Sequence, residues 1–143
     1  MKRINPFSIK KRTHKVGAPP GTIVYSGQTR DERVKISLIE YNETDFIEKE
    51  FYDLSECMDH VQNGMVKWIN VDGIHNAELI EAIGKRFNIH PLTLEDIVNP
   101  NQRAKFEDYE NYVVSIMKMV THEDGITHSE QLAVILMDGV VIS

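Results

Sequence analysis

Residues 87–112, FNIHPLTLEDIVNPNQRAKFEDYENY, place two carboxylates side by side, Glu95 and Asp96, shortly after a His-Pro step. Adjacent acids suggest a hard cation, because Mg²⁺ is held through one or two carboxylates and keeps several of its waters. Helix geometry limits this pair. Successive residues point about 100° apart on a helix, so neighbours cannot easily chelate one ion together. Leu94, Ile97 and Val98 are expected to face the core, which turns the two acids outward. They read either as solvated acids favoured by a helix N-terminus or as part of a cation site completed by another subunit.

Other chemistries find less support. The six histidines, at 14, 60, 75, 90, 122 and 128, include no H-x-x-x-H pair, and there is no cysteine partner at zinc spacing. His75 and His90 stand at element boundaries and read as capping or hydrogen-bonded residues. No G-x-S-x-G motif marks a nucleophile. Gly21, Gly27, Gly64, Gly73 and Gly84 are scattered rather than gathered in a phosphate loop. No enzyme is expected. The single cysteine, Cys57, cannot close an internal disulfide, so it reads as a small buried hydrophobe in a reducing compartment.

The elements that must position the acids follow from pattern. With 143 residues, 41% hydrophobic and 27% charged, the chain has the composition of one globular domain. Its longest apolar run, Leu132 to Met137, is far too short to span a bilayer. Six bases (Lys2, Arg3, Lys10, Lys11, Arg12, Lys15) stand before residue 16; from Val16 onward 10 bases face 22 acids. That acidic body argues against nucleic acid and suits cations.

Residues 1–21 read as a basic flexible tail ending in Gly-Ala-Pro-Pro-Gly, and residues 22–143 as the domain. Strands are expected at 22–27, 34–41, 50–54 and 65–71. A helix capped by Ser55 should run towards Gly64. Asn76 should cap a helix through Phe87, with Leu79, Ile80, Ile83 and Phe87 on its inner face. Pro91 should restart a helix, with Thr93-x-x-Asp96 as a capping box, stopping at Asn99-Pro100. Residues 111–123, 129–138 and 139–143 read as strands, with hairpin turns at Asp124-Gly125 and Asp138-Gly139. The fold class is α/β of the α+β type, a mixed β-sheet flanked by helices. A last apparent strand without a closing element reads as a piece of a longer protein.

Several segments in order resemble the cytoplasmic N-terminal domain of the CorA family of magnesium and cobalt transporters. They are Gly17 to Tyr25 (GAPPGTIVY), Trp68 to His75 (WINVDGIH), Phe87 to Ile97 (FNIHPLTLEDI), Asn111 to Met119, and Ser129-Glu130-Gln131. The resemblance covers residues 16–143. It departs at Ala104, where the family usually has proline. It implies a parent protein that is a homopentameric channel for Mg²⁺, and for Co²⁺, in the cell's inner membrane, with this domain on the cytoplasmic side. The stalk helix, two membrane helices and G-M-N pore signature would follow residue 143. By position, Asp96 matches the regulatory metal-binding aspartate, whose partner acid comes from the adjacent subunit. Glu95 is a second candidate, for a water-mediated cation. A zinc-exporting relative and a free-standing binding module of the same fold are the alternatives.

Overall fold

The computed structural model describes residues 19–25 and 32–143. The basic segment 1–18, and residues 26–27 of the expected first strand, lie outside the described residues. The ten elements are β1 (Lys35–Tyr41), β2 (Phe46–Phe51), α1 (Leu54–Asp59), β3 (Val66–Asp72), α2 (Ala77–Phe87), α3 (Pro91–Ile97), β4 (Lys105–Asp108), β5 (Val113–Glu123), β6 (Ile126–Met137) and β7 (Val140–Ile142). Seven strands form one mixed sheet in the order β2-β1-β3-β7-β6-β5-β4. Every pairing is antiparallel except β3 with β7, which is parallel. The expected α+β class is therefore the one observed.

Alternation builds the core. β1 turns Ile36 and Leu38 inward and Lys35, Ser37 and Ile39 the other way, as the period of two requires. Ile69 of β3, Val114 and Ile116 of β5, and Ile135 of β6 join them beneath α2 and α3. The outer half of the β5–β6 hairpin, residues 117–130, is exposed throughout and runs beyond that core. Asp124 and Gly125 both take positive φ, 50° and 76°, as a two-residue type I′ turn demands.

Several local expectations are corrected. Residues 22–25 form no strand. Thr22 turns back to donate its N–H to the Pro19 carbonyl at 3.2 Å, and Gly21 donates its N–H to Glu95 Oε2 at 2.8 Å. The segment thus uses polar groups on its own turn and on α3. The expected strand 50–54 ends at Phe51, because Asp53, not Ser55, caps α1 by accepting from the Glu56 N–H. That helix stops at Asp59 rather than near Gly64, and the chain then sends the Gln62 N–H to Glu40 Oε1 at 2.7 Å. No capping box forms at Thr93 either. His90 caps α3, its Nδ1 accepting from the Leu92 N–H, and the helix ends at Ile97, short of Asn99-Pro100. β4 has no counterpart in the expected strands: only four residues long, it offers one apolar side chain, Phe106, and exposes it.

The α2 reading holds, with Asn76 Oδ1 accepting from the Leu79 N–H at 3.0 Å. Ile80, Ile83 and Gly84 are its buried residues, with Leu79 and Phe87 packed at the margin. Gly84 lets α2 approach α3, since a Cβ there would collide with the buried Leu94 side chain. Gly84→Ala should gain helix propensity of ~1 kcal/mol. It should lose about 1–3 kcal/mol through overpacking. A lower urea midpoint with an unchanged m-value is the expected outcome.

Candidate cation site at helix α3

Asp96 lies near the C-terminal end of α3, and β4 runs beside it. Lys105 and Glu107 are two apart on β4 and share one face. Lys105 Nζ donates to Asp96 Oδ2 at 2.5 Å and to Glu107 Oε2 at 2.6 Å. These are charge-assisted bonds, the strong class of hydrogen bond. All three side chains keep partial contact with solvent, at 26% for Asp96, 22% for Lys105 and 39% for Glu107.

Behind this triplet runs a chain of hydroxyls whose donor directions are forced. Glu107 Oε2 can only accept, so Tyr109 O–H donates to it, at 3.0 Å. The Tyr109 oxygen then accepts from Thr93 O–H at 3.1 Å. With its hydrogen used, Thr93 Oγ1 accepts from Tyr112 O–H at 3.2 Å. The Tyr112 oxygen accepts from the His90 N–H at 3.1 Å. One hydrogen serves each link, from the start of α3 to the triplet near its end. The two tyrosine rings stack with centroids 4.6 Å apart.

The network shifts charge states in consistent directions. Burial alone would lower the Lys105 pKa; hydrogen bonds to Asp96 and Glu107, with their charges, outweigh it and raise the value above 10.5. The hydrogen bond from Lys105 holds Glu107 below its ordinary 4.5 despite some burial. Tyr109 ends above 10.0: its bond from Thr93 pulls down, and burial with the Glu107 carboxylate pushes up.

The two acids singled out from sequence therefore part company. Glu95 binds the Gly21 backbone and anchors the Pro-Pro-Gly turn to α3, while Asp96 joins the triplet. Lys105 and Glu107 were missed. Their signal was the period-two spacing Lys-Phe-Glu-Asp, a strand of only four residues with one apolar side chain. Among the described residues no group of three or more His, Cys, Asp and Glu side chains comes together as a metal cluster. His75 and His90 take structural roles, one nitrogen of His75 lying 2.8 Å from the Glu32 carbonyl. Cys57 has no exposed surface, and burial followed by the Glu40 charge pushes its thiol up to about 11. A cleft of about 530 Å³ lies elsewhere, bordered by Ile80, Leu94, Met119 and Ala133, and includes none of the triplet residues.

The triplet has the donor chemistry of a small-cation site. Two carboxylate oxygens of different elements already meet at one positive charge, the Lys105 ammonium standing in for an ion. Hard oxygen donors of this kind suit Mg²⁺.

Fold and site together define an α+β protein that gathers oxygen donors around a positive charge at a helix–sheet seam. Residues 63–143 match the model of the CorA-like Mg²⁺ transporter family. The chain is 37% identical over 135 residues to the cobalt/magnesium transport protein CorA of Thermotoga maritima, covering 93% of this chain and 38% of that protein. Two structures from Methanocaldococcus jannaschii share the fold. The complete CorA magnesium transporter aligns at TM-score 0.53 with 15% identity, over 75% of this chain and 31% of that one. The soluble domain of CorA aligns at TM-score 0.53 with 14% identity, over 75% and 38%. This chain belongs to the CorA-like Mg²⁺ transporter family. It spans well under half the length of these relatives. No helix among the described residues is long and apolar enough to cross a membrane.

The raised Lys105 and lowered Glu107 values set a pH window. Lys105 stabilises the fold below 10.5, and that is lost as pH rises through its higher folded value. Glu107 stabilises above 4.5, and that is lost as pH falls through its lower folded value. Because Glu107 is partly solvated, the acid loss should be less than about 1 kcal/mol. Urea titrations below and above pH 4.5 should show a smaller acid loss in Glu107→Gln than in the unaltered protein.

Proposed function

We propose that this chain is the cytoplasmic, cation-sensing region of a CorA-type transporter for Mg²⁺ and, with the same oxygen chemistry, Co²⁺. The transporter is a homopentamer in the inner membrane of the cell, and its membrane-spanning helices lie outside this chain. The observation that carries the reading is the convergence of Asp96 and Glu107 on one cationic group at a solvent-accessible seam. Family membership and the likeness to a CorA soluble domain support it. The all-oxygen donor set favours a hard ion over zinc, which prefers nitrogen and sulfur.

Asp96 is the anchor of the sensed ion and faces an acid on the next subunit. Glu95 adds negative field while its Oε2 holds Gly21. With the ion bound, the facing acids attract through it; without it, they repel and loosen the closed assembly. Five such sites at ~1 kcal/mol each approach the roughly 5.5 kcal/mol that swings a two-state equilibrium from 1:99 to 99:1.

One chain offers a poor site by itself. At a free Mg²⁺ concentration equal to a millimolar dissociation constant, stabilisation of the 143-residue chain should be only about 0.4 kcal/mol. Thermal melts with and without Mg²⁺ check this, and a large rise in melting temperature would mean that a complete site exists within one chain. In the full-length transporter, protease protection across a Mg²⁺ titration should lose amplitude or shift its midpoint upward in Asp96→Asn, and change less in Glu95→Gln. Unchanged protection in Asp96→Asn alongside its loss in Glu95→Gln would move the anchor to the other acid.

A further inference from the structure

Lys105 occupies the very place where a sensed cation would meet this chain. Its ammonium touches Asp96 Oδ2 and Glu107 Oε2 at once, at 2.5 and 2.6 Å. Only 22% of its side chain is exposed, so it lies along the seam instead of waving in solvent. The two carboxylates reach a single charge from different elements, α3 and β4, and the hydroxyl chain from Thr93 through Tyr109 fixes the Glu107 end. The result is a closed triplet with two negative charges and one positive.

We propose that Lys105 is a built-in competitor that sets the divalent-cation threshold of this site and screens it against monovalent ions. The inference rests on Asp96 being the ion's anchor. An ion that takes Asp96 Oδ2 displaces the ammonium from it. A monovalent ion brings the same single charge that Lys105 already supplies, and Lys105 has the added advantage of being tethered beside the site. It gains nothing by exchange. A divalent ion brings twice the charge to the same oxygens, and only it can profit from pushing the ammonium into solvent. The displaced lysine then carries a free positive charge at the seam, on a flexible stem with three rotatable donors. Lys105 is thus a positioning residue for Asp96 rather than an ion ligand.

The test follows the carboxyl ¹³C resonances of Asp96 and Glu107, and the Nζ resonance of Lys105, in the 143-residue chain titrated with MgCl₂. All three should move with one midpoint in the millimolar range. Lys105→Met should tighten Mg²⁺ binding by about tenfold (~1.4 kcal/mol). It should also make that binding sensitive to KCl beyond the effect of tetramethylammonium chloride at equal ionic strength. Lys105→Arg should remain as weak and as potassium-insensitive as the unaltered chain. Equal or weaker Mg²⁺ binding in a cooperatively melting Lys105→Met overturns the inference. So does a Lys105 Nζ resonance that stays put while the Asp96 carboxyl moves, a result that needs no variant. Asp96→Asn separates the two layers. If it abolishes binding and Lys105→Met gives no gain, only the competitor role falls. If Mg²⁺ binding is indifferent to Asp96→Asn, or no carboxyl moves in any variant, the anchor itself falls and the competitor with it.

Discussion

A threonine hydroxyl with no exposed surface must find partners, and at Thr93 that requirement organises the whole of α3. An unpartnered buried hydroxyl would cost roughly 1–3 kcal/mol. The partners come from Tyr109 and Tyr112, which follow β4. Satisfying Thr93 therefore binds the helix to the segment between β4 and β5 and fixes where β4 runs. Once β4 is placed, its alternating side chains deliver Lys105 and Glu107 to Asp96. The hydrogen bonds run in one direction, each link polarising the next, so the network is expected to resist piecemeal change.

Charge is arranged around that frame with little slack. Glu95 and Asp96 are neighbours in the chain, yet the helix turns them to different tasks, one to a backbone N–H and one to an ammonium. Gly21 takes φ +82° where the Pro-Pro-Gly turn closes against Pro91, a conformation open to glycine at little cost. The turn and the triplet thus engage neighbouring residues of one short helix, pointing about 100° apart. A shift of α3 would be felt at both. Residues 87–97 accordingly form a joint between the Pro-Pro-Gly turn and β4.

The sheet supplies the rigid support. β7 inserts between β6 and β3, and its parallel pairing with β3 joins the hairpin half of the sheet to the β1–β3 half. Ser143 extends this seam: its backbone N–H donates to the Ile69 carbonyl, and its hydroxyl accepts from Trp68 Nε1. Beyond the core, the β5–β6 hairpin carries exposed Met119, Val120 and Ile126.

Much of this was legible in the residues. The alternation of Val34 to Leu38, the Asn76 cap, the inward stripe of α2 and the Asp-Gly turns depend on neighbours a few positions away, and local patterns report them. The ordered segments, HPLTLEDI among them, were enough to indicate the family, and the inward placement of Leu94, Ile97 and Val98 followed from their pattern. What the sequence did not reveal was which groups meet. Asp53 overruled Ser55, His90 overruled Thr93, and the 19–22 turn bonded to itself and, through Gly21, to α3 instead of joining the sheet, each because a better-aimed or more distant partner offered more. The Lys105 ammonium reaches Asp96 from nine positions away through a strand too short and too polar to announce itself. Sequence determined the charges and their local faces. Only the tertiary structure decided their pairing, because an ion pair depends on distance in space, and that distance is set by how α3 and β4 pack.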